Sequence, residues 1–145
     1  MDNYDNLKLE NQLCFPLYAC SKEIIKRYKP FLEEIDLTYT QYITMMVLWD
    51  KKEINVKKLG EELFLDSGTL TPVLKRLEAK KYIKRVRSKE DERNLIISIT
   101  NEGIKLKNKA KTVPSKISKC VNLEGDEIVK LYKLLYKILL NFKEE

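Results

Sequence analysis

Residues 55–83 read NVKKLGEELFLDSGTLTPVLKRLEAKKYI. Two short amphipathic stretches, at about 55–64 and 67–80, are separated by a tight turn at Leu65, Asp66, Ser67 and Gly68. Leu59, Leu63, Leu70, Leu74 and Leu77 fall at helical spacing and give the two stretches one shared apolar seam. That is the pattern of a helix-turn-helix.

The chain that follows, YIKRVRSKEDERNLIISIT (82–100), alternates polar and apolar residues on both sides of a charged tip. Ile83 and Val86 precede the tip and Leu95, Ile97 and Ile99 follow it, which predicts a β-hairpin with residues 88–93 at its end. Thr100 then caps a new helix through TNEG, and the next segment has weaker apolar spacing, interrupted by Pro114. The last predicted helix, GDEIVKLYKLLYKILLNF (125–142), carries Ile128, Leu131, Leu134, Leu135, Ile138, Leu139 and Phe142 on one broad face.

Upstream, apolar residues recur at three- and four-residue steps from Leu7 to Leu32, the mark of a long helix or of two joined end to end. Pro16 marks the joint, because proline is tolerated only in a first turn. Thr38 and Gln41 then stand at capping-box spacing ahead of Met45, Met46, Leu48 and Trp49, which predicts a buried helix. Helices this apolar at both chain ends exceed what a small winged unit needs for its own core. They predict a homodimer whose interface is built from about 8–34 and 101–145, around a winged helix-turn-helix at about 38–100, all within a single domain of residues 1–145. The fold class expected is mainly α with a small β wing.

Composition narrows the function. The 145 residues suit one domain, 43% hydrophobic content supports a core, and four Gly with four Pro lean helical. No apolar run approaches a membrane span, and the first residues are acidic and polar where a secretory signal is basic and then apolar, so a cytoplasmic protein is expected. There is no histidine, and three cysteines form no CxxC pair; neither a zinc site nor a disulfide scaffold is indicated, and no metal or cofactor is expected. The thiols should be reduced at rest. The net charge of +6 is uneven: residues 51–100 carry 13 cationic against 8 anionic side chains, and residues 1–50 carry 5 against 8. A positive field over the helix-turn-helix favours a polyanionic partner.

A helix-turn-helix presents the start of its second helix to base edges, so that helix should open with hydroxyl or amide side chains and carry cations where phosphates pass. DSGTLTPVLKRL meets both demands: Ser67, Thr69 and Thr71 lie in the first turns, and Lys75 and Arg76 follow. Each alone is equally explained as a helix cap or a solvated charge. The wing adds Arg85, Arg87, Lys89 and Arg93, and a guanidinium at a hairpin tip can enter a minor groove.

LGEELFLDSGTLTPVLKRLEAKKYIKRVRSKEDERNLIISIT, with NQLCFPLYA upstream and LTYTQY between, resembles the MarR family of winged-helix repressors, specifically its organic-hydroperoxide-sensing branch. The similarity is close over about residues 8–112 and holds in pattern only for the final helix. Asp91 and Arg93 match the wing motif in which the aspartate orients the arginine, and Val73 is the one departure from the family's LDSGTLTPLLKRLE. The resemblance implies a pseudo-palindromic double-stranded operator as partner.

The segment ENQLCFPLYACSK (10–22) carries the chemistry. A cysteine reacts with peroxide as its thiolate, and a helix N-terminus favours the anion. With Pro16 in a first turn, Cys14 lies just ahead of that turn and becomes the candidate reactive thiol. Tyr18, Tyr28, Tyr39 and Tyr42 are available to donate hydrogen bonds to it. Cys20, six residues on, would stand about 9 Å further along a helix and on another face, too far for a disulfide, and is expected to be structural. The resemblance makes Cys14 the peroxide-oxidised residue and assigns Tyr28 and Tyr39 of the partner protomer, with Tyr18 alongside, to its thiolate. Pro16 departs from the alanine usual in the family. Cys120 resembles the resolving cysteine of two-cysteine sensors; resolution by a small cellular thiol is the alternative. The function expected is a homodimeric repressor, not an enzyme, that releases DNA when an organic hydroperoxide oxidises Cys14. A regulator answering to a phenolic ligand or a general oxidant is the nearer alternative, and a thiol peroxidase the more distant one.

Overall fold

The computed structural model describes residues 3–90 and 94–143. After two 3₁₀ turns (Asp5–Leu7 and Leu9–Asn11) the elements are α1 (Cys14–Glu33), α2 (Tyr39–Lys51), β1 (Glu53–Asn55), α3 (Val56–Leu63), α4 (Ser67–Ala79), β2 (Ile83–Arg87), β3 (Leu95–Ile99), α5 (Asn101–Ala110), α6 (Val113–Val121) and α7 (Gly125–Lys143). The strands form one antiparallel sheet in the order β1-β3-β2.

The predicted seam is real. Leu59, Leu70, Leu74 and Leu77 are buried and Leu63 packs at their edge. Asn55 caps α3 by accepting from the Lys57 amide at 2.7 Å, and α3 ends at Phe64 in the left-handed region, with φ 54°. The turn is tight enough that a Cβ on Gly60 would lie 2.8 Å from the Leu65 carbonyl oxygen. Only glycine lets α3 and the turn approach this closely. Ser67 and Gly68 already belong to α4, so the connection is shorter than the four residues expected.

Sequence periodicity missed β1, whose three residues are too few to show alternation; Ile54 pairs with Ile97 at the centre of the sheet. On β2, Ile83 is buried and Val86 is 55% exposed, since residues three apart on a strand point to opposite faces. Met46, expected in the apolar group of α2, also faces outward. The Thr38/Gln41 capping box forms in both directions, at 3.3 and 3.1 Å.

Two helix boundaries differ from expectation. Pro16 is not a joint between helices: the chain ahead of Cys14 makes 3₁₀ turns, and Pro16 occupies the first turn of α1, where its missing N–H costs nothing. Near the other end of the chain the helix capped by Thr100 ends at Ala110, and the weakly patterned segment after it forms a separate helix, α6, with Pro114 in its first turn.

The core is centred on α2, against which α1, α3, α4 and α5 all pack. Trp49 spans from α2 to α5, its buried indole N–H donating to the Gly103 carbonyl at 2.8 Å. Thr100 caps α5 through the Gly103 amide and donates to the Lys81 carbonyl. By contrast α7 has no buried residue; Leu134 is 60% and Phe142 62% exposed, so its apolar face has no cover within the protomer. Among the described residues no helix is long and apolar enough to cross a membrane.

A Cβ on Gly103 would overlap the Tyr82 carbonyl oxygen and lie 2.7 Å from Ile99 Cγ1. Neither can retreat without shifting β2 or β3. Gly103→Ala should therefore destabilise the fold by about 1–3 kcal/mol in chemical denaturation. An unchanged midpoint would contradict this packing.

Candidate DNA-reading face and thiol site

The first turn of α4 is anchored by Asp66, whose carboxylate accepts from the Thr69 amide at 2.7 Å. Hydrogen bonds from Thr69, then Gly68, hold the Asp66 carboxyl below its usual range. With Leu70, Val73, Leu74 and Leu77 turned into the core, Ser67, Thr69, Thr71, Lys75 and Arg76 are all exposed, on the opposite face. The Thr71 hydroxyl donates to the Ser67 carbonyl at 2.7 Å, which orients its oxygen with lone pairs left to accept from a base. Hydroxyls thus come first along this face and cations one turn later.

The wing is closed by the Ser88 amide, which donates to the Asn94 carbonyl at 2.7 Å. Arg87 and Lys89 are exposed. Asp91 and Arg93 lie outside the described residues. Arg85 is not presented to a partner in the way the sequence suggested. It shares the inward face of β2 with Ile83, and its guanidinium forks onto Glu78 of α4, Nε donating to Oε2 at 3.1 Å and Nη2 to Oε1 at 2.9 Å. That fork lowers the Glu78 carboxyl and raises the Arg85 guanidinium. Sequence reasoning counted Arg85 as one more wing cation; the signal that finds it is the two-residue spacing from buried Ile83.

Cys14 is the first residue of α1 and is exposed, so its sulfur stands at the positive end of the helix dipole. Tyr18, one turn on, is exposed, with Lys22 Nζ 5.0 Å from its ring centroid. Tyr28, Tyr39 and Tyr42 are brought together: ring centroids of Tyr28 and Tyr39 are 4.9 Å apart and those of Tyr28 and Tyr42 5.8 Å. Tyr28 is 14 residues further along the same helix, about 21 Å of rise from Cys14. Within one protomer the thiol and the phenol cluster do not meet.

Cys120 lies in the last turn of α6, exposed, its thiol 3.5 Å from the Lys116 carbonyl. Cys20 is exposed in the protomer rather than packed as a structural residue. It lies on α1 but not on the Cys14 face, since six residues is not a helical repeat.

Burial, reinforced by Tyr39 and Tyr42, pushes the Tyr28 phenol up to about 12; burial also raises Tyr39 and Tyr42. The trio remains a set of O–H donors at any pH the protein meets. A phenol raised above its unfolded value of about 10 adds stability that is complete below that pH and lost as pH climbs toward the folded value. Tyr28→Phe should therefore lose less stability than the parent between about pH 9 and pH 12 in denaturant titrations. Identical alkaline losses would mean that Tyr28 ionises as freely folded as unfolded.

The family model for the transcriptional regulator SarA/Rot matches residues 26–110. An organic hydroperoxide resistance transcriptional regulator of Bacillus subtilis (strain 168) is 49% identical, over 96% of this chain and 95% of its own. Among solved structures, reduced AbfR bound to DNA matches with a TM-score of 0.76 at 35% identity, covering 95% of this chain and 96% of that one. The disulfide form of AbfR, a Staphylococcus epidermidis protein, matches at 0.64 and 33% identity, over 93% and 95%. The backbone described here is thus nearer to the reduced form of that regulator than to its disulfide form. Helix-turn-helix and wing fall within all of these matches and Cys14 within those to the whole-length relatives, and the chain belongs to the MarR family of winged-helix transcriptional regulators, in its organic-hydroperoxide-sensing branch.

Proposed function

We propose that this protein is a homodimeric, DNA-binding repressor of the cytoplasm that releases its operator when an organic hydroperoxide oxidises Cys14. One observation carries the reading: about 21 Å of α1 separates the exposed Cys14 from Tyr28 and its cluster with Tyr39 and Tyr42, so a thiol held by these phenols requires two protomers. The uncovered apolar face of α7 supports the same dimer.

In the reduced dimer the Cys14 thiolate accepts hydrogen bonds from Tyr28 and Tyr39 of the opposite protomer, with Tyr18 beside it. The thiolate attacks the terminal oxygen of the hydroperoxide. A sulfur–oxygen bond forms, the oxygen–oxygen bond breaks, and the alkoxide leaves and takes a proton to become the alcohol. Sulfur is oxidised by two electrons to the sulfenic acid. A thiol then displaces hydroxide from that sulfur as water, giving a disulfide; Cys120 across the dimer supplies it. Loss of the anion releases the tyrosine-bearing ends of α1 and α2, and the two copies of α4 lose their spacing for successive major grooves. Ser67, Thr69 and Thr71 read bases, Lys75, Arg76, Arg87 and Lys89 meet phosphates, and Arg93, oriented by Asp91, enters the minor groove. The oxidation is stoichiometric signalling, without turnover.

Fluorescence anisotropy on a palindromic duplex tests this. Reduced protein should bind with steep salt dependence and be released by about one equivalent of organic hydroperoxide per protomer. Cys14→Ser should bind equally and stay bound. A Cys14→Ser protein that still dissociates on oxidation would place the sensor elsewhere. On a non-reducing gel the oxidised parent should run as a covalent dimer and Cys120→Ser as a monomer; a small-thiol adduct on Cys14 of the parent would remove Cys120 from the chemistry.

A further inference from the structure

The fork between Glu78 and Arg85 joins the end of the DNA-reading helix to the middle of the wing. Backbone ties between the end of α4 and the start of the hairpin lie at the hinge, where the Lys81 and Tyr82 amides donate to the Glu78 and Leu77 carbonyls at 2.9 and 3.1 Å. Lys81 itself has φ 68°, a turn conformation. Past the hinge, Ile83 of β2 is buried at 1% exposure and Ile97 of the central strand β3 at 0%, whereas Val86 and Arg87 further along β2 are exposed. Arg85 is the next inward residue after Ile83 and stands opposite buried Ile97; β3 is held there by its ladder to β1, and the pairing of Arg85 with Glu78 ties the edge strand β2 to α4 at that level. The side chains are 26% and 38% exposed, so the pair adds little to stability. Its planar two-bond geometry does fix direction.

We infer that Glu78 and Arg85 are positioning residues for DNA binding: a strut that sets the angle of the wing to the recognition helix, with Arg85 making no phosphate contact. The inference rests on the DNA-binding reading above. A guanidinium already committed to a carboxylate offers a phosphate little net charge. What the pair supplies is the distance between the helix in a major groove and the hairpin tip in the neighbouring minor groove. Without the fork the outer part of β2, held otherwise by its ladder to β3, would have to be ordered on binding, at a cost in affinity for a specific site.

Four proteins distinguish a strut from a contact: parent, Glu78→Ala, Arg85→Ala and the double variant. A strut predicts that each single variant weakens operator binding by a similar factor, about tenfold, and that the double is no worse than either. Discrimination against an unrelated duplex should fall in parallel, and the slope of log affinity against log salt should stay at the parent value. Arg85→Lys, which cannot fork, should recover only part of the loss. A phosphate contact predicts the opposite: Glu78→Ala binds as well as the parent or better, and Arg85→Ala lowers the salt slope by about one. That result overturns the proposal. Amide hydrogen exchange of β2 and β3 without DNA supplies an independent arm; both single variants should exchange faster there, and unchanged exchange would also overturn the strut. A parent that binds no duplex would defeat the DNA-binding reading, and the exchange arm would still decide for or against the strut.

Discussion

The length of one helix constrains everything else in this molecule. α1 runs from Cys14 to Glu33, with the thiol in its first turn and Tyr28 in its second half. An α-helix does not fold back on itself, so about 21 Å must separate the two groups in any one protomer. A chain with this helix can bring Tyr28, Tyr39 and Tyr42 to its thiol only by borrowing them from another copy. The apolar character of α7, the exposed leucines ahead of α1 and the position of Cys120 on α6 become intelligible as parts of such a shared structure.

From the phenol cluster a contiguous set of contacts leads toward the DNA-reading elements. Tyr28 stacks near Tyr42 at 5.8 Å, Tyr42 meets Trp49 edge-on at 6.3 Å, and the Trp49 indole holds the Gly103 carbonyl. Gly103 in turn lies against the backbone of Tyr82, at the hinge of the wing. On its other sides α2 packs against α3 and α4. A protein interior packed this closely does not deform continuously, and on the reading proposed above a change at the tyrosines would be passed on along these contacts as a shift of whole elements.

Much of this was legible in the sequence because it rests on periodicity and local chemistry. The seam of the helix-turn-helix, the Thr38 capping box, the wing and the Thr100 cap are all short-range patterns. Elements without such a pattern were missed: β1 is three residues long, and its partner strand lies more than forty residues away. The role of Pro16 was half legible, since a first-turn proline was expected but the 3₁₀ turns ahead of it were not. Among the candidate site residues, Ser67, Thr69, Thr71, Lys75 and Arg76 fall on the exposed face of α4 because helical spacing decides that. The pairing of Arg85 was not legible, because composition counts a cation without its partner and Glu78 is joined to it only through the fold. The meeting of Tyr28, Tyr39 and Tyr42 likewise depends on how α1 crosses α2, which no local pattern records.

Completion of the thiol site between protomers is tested most directly by mixed dimers. One protomer carries Cys14→Ser and the other Tyr28→Phe with Tyr39→Phe. If the phenols act on the thiol of the opposite protomer, the mixed dimer holds one intact site, the native Cys14 of one copy facing the native tyrosines of the other. Stopped-flow oxidation by an organic hydroperoxide should then show half of the sites reacting at the parent rate, whereas neither parental homodimer reaches it. A mixed dimer no faster than the tyrosine variant alone would place thiol and phenols in the same protomer and contradict the geometry of α1.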